Sequence, residues 1–238
     1  MLQSLSAFRV RLQSVAAIFA VTLAISAGSS AHAQQTPRHG RDTNANRRAR
    51  IARQIQETYT HRWEVGGGGG YLRFRSGEYT QKNSEIAFWM NTTYYLNQKL
   101  GITGEIRGGY GNAKPLLGVN NLPALTGDPQ ISEYPFLAGP TYRFYRHEKI
   151  AASVFALGGT AIGKFDGDTK GYPSTEFGFW PSTNAAPAIS VGGNLDLNVY
   201  PNLAFRIAPS YLGTTFGSSY QSNFGFEMGL VFRFGRQK

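Results

Sequence analysis

The stretch at 223–234 (N-F-G-F-E-M-G-L-V-F-R-F) constrains the fold more than any other part of the chain. Phe224, Phe226, Met228, Leu230, Phe232 and Phe234 take every second position, and Asn223, Gly225, Glu227, Gly229, Val231 and Arg233 lie between them. A strand sends alternate side chains to opposite faces, so one face is a continuous apolar band and the other is small or charged. Such a strand has two uses. It packs the band into a core, as in a soluble sandwich, or it turns the band to lipid and keeps its polar groups in a barrel lumen. One strand does not separate the two; the remaining sequence does.

At the other end, Arg9 and Arg11 precede an apolar run at 15–27, and Ala31-His32-Ala33 has the small-x-small form of a signal-peptidase site. Residues 1–33 are therefore expected to be a cleaved secretory signal peptide, with Gln34 as the new N-terminus. The run falls short of the ~20 residues that a spanning helix needs. No other run approaches that length, so any membrane insertion is expected through strands. The absence of cysteine fits a secreted chain, for which disulfides are permitted but not required. The 29 glycines and 13% aromatic residues, mixed with short alternating runs, point to an all-β barrel.

The formal charge of +10 is unevenly placed. The leader holds two Arg and no acid, for +2, and residues 34–62 hold seven Arg against Asp42 and Glu57, for +5. Residues 63–238 hold fifteen basic and twelve acidic residues, for only +3. A basic leader and arm without interleaved aromatics make no case for nucleic-acid binding. Residues 34–62 are expected to be a polar arm, disordered or partly helical. Within it, 46–58 has helix formers and a thin stripe of Ile51, Ile55 and Thr58, too little apolar surface for a stable isolated helix.

From Trp63 onward eight strands are expected, at 63–75, 85–96, 100–111, 131–144, 150–163, 186–200, 203–213 and 223–234. Their connections alternate: short at 97–99, 145–149 and 201–202, long at 76–84, 112–130, 164–185 and 214–222. That alternation belongs to an up-and-down transmembrane barrel, with tight periplasmic turns and long outer loops. Five glycines at 66–70 interrupt the first strand and are expected to host a bulge or tight coil. The strand at 150–163 is apolar on both faces, which leaves its register open.

Parity places Glu64, Glu105, Arg107, Arg143, Asp196, Arg206, Glu227 and Arg233 on the inner face. A soluble ligand-binding barrel would put apolar residues there. Charges inside and apolar residues outside require lipid as the outer solvent. Four acids and four arginines can pair, as buried charges must. They are expected to form a network that closes the lumen.

With these features the chain resembles the small outer-membrane β-barrel family of the OmpA/OmpX type, over about 63–238. The resemblance includes a C-terminal signal, a polar residue followed by x-Gly-x-x-aromatic-x-aromatic, present here as Glu227, Gly229, Phe232 and Phe234. It implies an eight-stranded antiparallel up-and-down barrel in the outer membrane. The implied partners are outer-membrane lipid and the assembly machinery that reads the signal, and the implied state is a monomer. The family's aromatic usually ends the chain, whereas 235–238 follow here. No peptidoglycan-binding domain is expected after the barrel.

Signs of catalysis and cofactor binding are weak. Gly66 to Gly70 lacks the helix that a phosphate loop requires. Phe165-Asp166-Gly167-Asp168, in an expected long loop, lacks the ligand spacing of a calcium loop. His39 and His61 fall in the arm and His147 in a short turn, with no nucleophile paired to them. No cofactor or metal is therefore expected. The expected function is non-enzymatic: a structural role, or surface interaction through the outer loops with a ligand that the sequence does not name. The alternatives are a narrow gated channel and a barrel enzyme acting on lipid or peptide.

Overall fold

A computed structural model describes residues 44–77, 80–113, 129–167 and 173–236 of the chain. The leader at 1–33, arm residues 34–43, most of the loop at 112–130, and Asp168 lie outside the described residues. Helix α1 (Asn44–Tyr59) leads into eight strands: β1 (His61–Arg75), β2 (Lys82–Tyr95), β3 (Leu100–Asn112), β4 (Gln130–Arg146), β5 (Ile150–Gly167), β6 (Thr183–Tyr200), β7 (Leu203–Thr214) and β8 (Gln221–Arg236). Each strand pairs antiparallel with the next, and β8 returns to β1, closing the barrel.

Eight strands and the short-long alternation agree with the sequence, and most bounds fall within a few residues of those expected. Two of the shifts reassign residues named above. β1 starts at His61, which the sequence placed in the arm; it pairs with Arg236. β5 runs on to Gly167, so Phe165 and Asp166 belong to a strand rather than to a loop. The barrel has two ends, one with short turns and one with long loops.

The outer surface carries the apolar band. Phe88, Ile106, Phe136, Leu195 and Phe226 are all exposed and Ile207 is half-buried. Trp63, Tyr94, Phe232 and Phe234 gather at the short-turn end, where Trp63 meets Tyr94 edge-on at 4.8 Å and the two phenylalanines stack at 6.0 Å. Aromatic rings favour the level where hydrocarbon meets headgroups. Among the described residues no helix is long and apolar enough to cross a membrane.

The glycine run does not bulge. β1 stays in uninterrupted register with both neighbours, from Trp63 opposite Tyr94 and Phe234 to Arg73 opposite Ser84 and Phe224. Register shifts occur instead at Gln130/Ser132, Arg143/Tyr145, Ala161/Gly163 and Asn198/Tyr200. The glycines serve close approach. A Cβ on Gly66 would sit 2.9 Å from the Trp89 ring, and one on Gly68 would sit 2.1 Å from the Met228 carbonyl. The buried Trp89 indole, inside the lumen, donates to that same carbonyl at 3.3 Å.

The apolar residues of both faces of β5 also find their place. Phe155, Leu157 and Phe165 point inward, while Ile150 and Val154 point out. The inner set joins Leu72, Phe74, Ile131, Leu212 and Phe216 in an apolar cluster. The lumen is thus not polar throughout, as its expected contents implied. Leu72 and Phe74 break the parity of the outward apolar residues of β1 because the solvent inside the barrel changes, not the backbone.

The outward face is testable at Leu195. Leu195→Arg is expected to cost ~2–4 kcal/mol in denaturant unfolding from lipid vesicles if the site lies near the bilayer midplane. An unchanged midpoint would reject the assigned face.

Candidate functional site: the lumen

The lumen is built from side chains that alternate inward along every strand. From the short-turn end its first member is Tyr59, the last residue of α1. Thr58 and Tyr59 are buried although the rest of α1 is exposed, apart from the half-covered Ile51 and Ile55. The Tyr59 hydroxyl donates to the His147 carbonyl at 2.7 Å and accepts from Asn198 Nδ2 at 2.9 Å. Its ring lies against the Arg143 and Arg233 guanidiniums, 5.1 and 5.8 Å from the centroid. Burial raises the Tyr59 phenol above its ordinary value, so it remains a neutral hydrogen-bonding group.

Next comes the densest ionic cluster. Glu64 accepts from three arginines: Arg143, Arg206 at 3.1 Å and Arg233 at 2.7 Å. Asp196 takes Arg206 in a two-pronged contact of 2.6 and 2.8 Å and Arg233 at 2.9 Å. Tyr95 donates to Glu64 at 3.3 Å while its ring stacks under Arg143 at 4.0 Å. Asn198 accepts from Arg233 at 2.7 Å. These charges are nearly all removed from water, and the planar, fork-shaped guanidinium suits multiple carboxylate contacts.

Further along, Thr93, Thr103 and Thr141 form a hydroxyl chain with steps of 2.7 and 2.6 Å. Arg107 then bridges Glu105 at 2.5 Å on its own strand and Glu227 at 2.9 Å on β8. Its remaining donors reach Ser210 at 2.9 Å and Ser190 at 3.1 Å. All eight charges named from parity thus lie in the lumen, in two groups. Glu64, Arg143, Asp196, Arg206 and Arg233 form one; Glu105, Arg107 and Glu227 form the other.

Two further acids were not assigned to the network from sequence. Glu85 and Glu133 are buried, and their carboxylate oxygens have no hydrogen-bond partner among the described residues. Gly109 gives them room: a Cβ there would sit 2.5 Å from Glu85 Oε2 and 3.3 Å from Glu133 Cγ. Above them the apolar cluster fills the long-loop end. Phe74 and Phe165 lie parallel at 5.9 Å, and Phe216 meets Phe165 edge-on at 5.1 Å. Gln221 fixes Phe216 by accepting from its amide at 2.7 Å and donating to its carbonyl at 2.8 Å.

Tyr59, Tyr95, Asn198, Ser190 and Ser210 were also missed as network members. Parity was the usable signal for the strand residues; Tyr59 gave none. Among the described residues no group of His, Asp and Glu is arranged to hold a metal ion. His61 and His147 both sit at the short-turn end, where the His147 ring lies parallel to Tyr145 at 6.5 Å.

No protein-family model and no curated relative match the sequence. Solved structures do match. Neisserial surface protein A is similar with a TM-score of 0.50 and 12% identity, over 72% of this chain and 97% of that one. OprG of Pseudomonas aeruginosa gives 0.49 and 10%, over 74% and 97%. Ail, the attachment invasion locus protein of Yersinia pestis, gives 0.46 and 21%, over 72% and 97%. The chain has the fold of the small eight-stranded outer-membrane barrels.

The ionic cluster predicts unequal mutational costs. Arg107→Ala strands Glu105 and Glu227 and is expected to cost about 3–5 kcal/mol in detergent-micelle unfolding. Adding Glu105→Gln should recover part of the loss. Glu64→Gln, which removes one anion from three arginines, should cost more than Glu105→Gln alone. Equal costs for those two would show that Glu64 is not the hub.

Proposed function

We propose that this chain is a non-enzymatic outer-membrane barrel protein with a closed lumen, structural or engaged in surface interaction through its long loops. The observation that carries the reading is the filled cross-section. Tyr59, two arginine-carboxylate clusters and an aromatic cap follow one another along the axis. An eight-stranded interior has room for side chains and little else. The long loops face outward and the short turns face the periplasm, as in transmembrane barrels generally.

In this reading residues 1–33 are a signal peptide removed after export through the inner membrane. Residues 34–60 are a basic periplasmic arm held at the mouth by Tyr59, and the barrel begins at His61. A closed barrel exposes no strand edge, which favours a monomer. Its partners are outer-membrane lipid and the assembly machinery, which reads Glu227, Gly229, Phe232 and Phe234. Phe232 and Phe234 face outward, while the Glu227 side chain is buried against Arg107. Recognition of Glu227 therefore belongs to the unfolded chain.

A narrow gated channel is the second reading. The unpartnered Glu85 and Glu133 favour it, because they place a polar gap between the Arg107 group and the apolar cap.

Recordings from the purified protein in planar bilayers test both readings. The closed barrel is expected to give no stable conductance. Small flickering events would favour the second reading, and a large, steady, voltage-independent current would overturn both. For assembly, Phe232→Ala with Phe234→Ala is expected to leave unfolded protein in the periplasm. Normal outer-membrane levels of that double variant would remove the assembly role.

A further inference from the structure

The inward arginines are paired; a second set of cations points the other way. Arg73 and Arg75 lie on the outer face of β1 at its long-loop end, and Lys82 lies opposite Arg75 on β2. All three side chains are exposed. Outward neighbours on the flanking strands are Ser84 and Ile86 of β2 and Ser222, Phe224 and Phe226 of β8, none of them acidic. Among the described residues no ion pair involves Arg73, Arg75 or Lys82; Lys82 Nζ donates to the Ser222 carbonyl at 3.3 Å.

Arg75 directly opposite Lys82 is a like-charge cross-strand pair, which is unfavourable unless an anion lies between. Directly below, Tyr71 stacks on Phe226 at 6.0 Å, and the Tyr71 hydroxyl contacts Ser84 Oγ at 2.9 Å. That pair, with the exposed Phe224 directly opposite Arg73, belongs to the apolar band of the outer face. In the membrane orientation proposed above, the three cations stand at the level of the headgroup layer.

We infer that Arg73, Arg75 and Lys82 form a binding site for a phosphorylated lipid headgroup of the outer leaflet. Two guanidiniums supply paired N–H donors that match phosphate oxygens, and the ammonium adds a point charge. Ser84 and Ser222 offer hydroxyls beside them. The acyl chains of such a lipid would run down the apolar face past Tyr71, Phe224 and Phe226. The inference rests on the membrane orientation proposed above.

The test uses the full-length mature protein in phosphatidylcholine nanodiscs doped with diphosphoryl lipid A or with its dephosphorylated form, read by native mass spectrometry. Wild type is expected to retain one diphosphoryl lipid preferentially. R73Q/R75Q/K82Q should weaken that binding by roughly tenfold or more, since each cation near a charged headgroup contributes separately. Equal retention by the triple variant overturns the site. Displacement by millimolar inorganic phosphate also overturns it, because the ligand would then be a free anion rather than a lipid. Should the triple variant not fold, wild type alone decides: equal retention of both lipid forms rejects the inference. Gel mobility before and after boiling keeps the two readings apart. Absence of a heat-shifted folded band in every lipid rejects the membrane barrel itself, whereas a folded barrel without lipid preference rejects only the site.

Discussion

In hydrocarbon no water is present to satisfy a backbone N–H or C=O, so a sheet that spans it must close on itself. The seam between β1 and β8 is where this chain meets that demand, and its pairing from His61 to Arg73 carries the rest of the structure. At that seam Gly68 faces Gly229, each with backbone where a Cβ would stand. Closure at eight strands fixes a narrow interior, and a narrow interior must be filled by side chains. The glycine run contributes twice, letting the last strand approach and giving the Trp89 indole a place to lie.

Filling the interior with charge is costly unless each charge is matched. The cluster near the short-turn end solves this by sharing: Glu64 serves three guanidiniums and Asp196 two of the same three. Polar rings complete the coordination, with both Tyr95 and Tyr59 against Arg143. At the long-loop end Phe74, Phe165 and Phe216 keep water away from the groups beneath them. A lower local polarity strengthens paired contacts and penalises unpaired ones, and the buried Glu85, Glu133 and Asn223 carry the unpaired ones.

The strands, their order and most inward charges were legible because lipid and lumen act as different solvents on alternating residues. Where the two solvents converge, the alternation fades. Phe155 and Leu157 face an apolar lumen while Val154 faces lipid, so β5 reads as apolar on both sides. For the same reason Leu72 and Phe74 turn inward on β1 with no irregularity in its backbone register. Tyr59 was illegible on other grounds. A single aromatic ending a polar, Arg-rich helix forms no pattern; its importance comes from a contact with His147, far away in sequence. Glu85 has the inward parity of β2, but its lack of a partner depends on which side chains meet across the lumen, and parity does not report that.

The same alternation also sorts cations. An arginine turned inward here meets carboxylates from other strands, and Arg107, Arg143, Arg206 and Arg233 all do. An arginine turned outward has only its strand neighbours and whatever surrounds the barrel. Arg73 and Arg75 flank the inward Phe74 on one strand, so a single residue of register decides between these fates. Inside, the chain supplies the counter-charge from its own sequence. At the outer rim of β1 and β2 it supplies none among the described residues, and electroneutrality there becomes a property of the membrane in which the barrel sits.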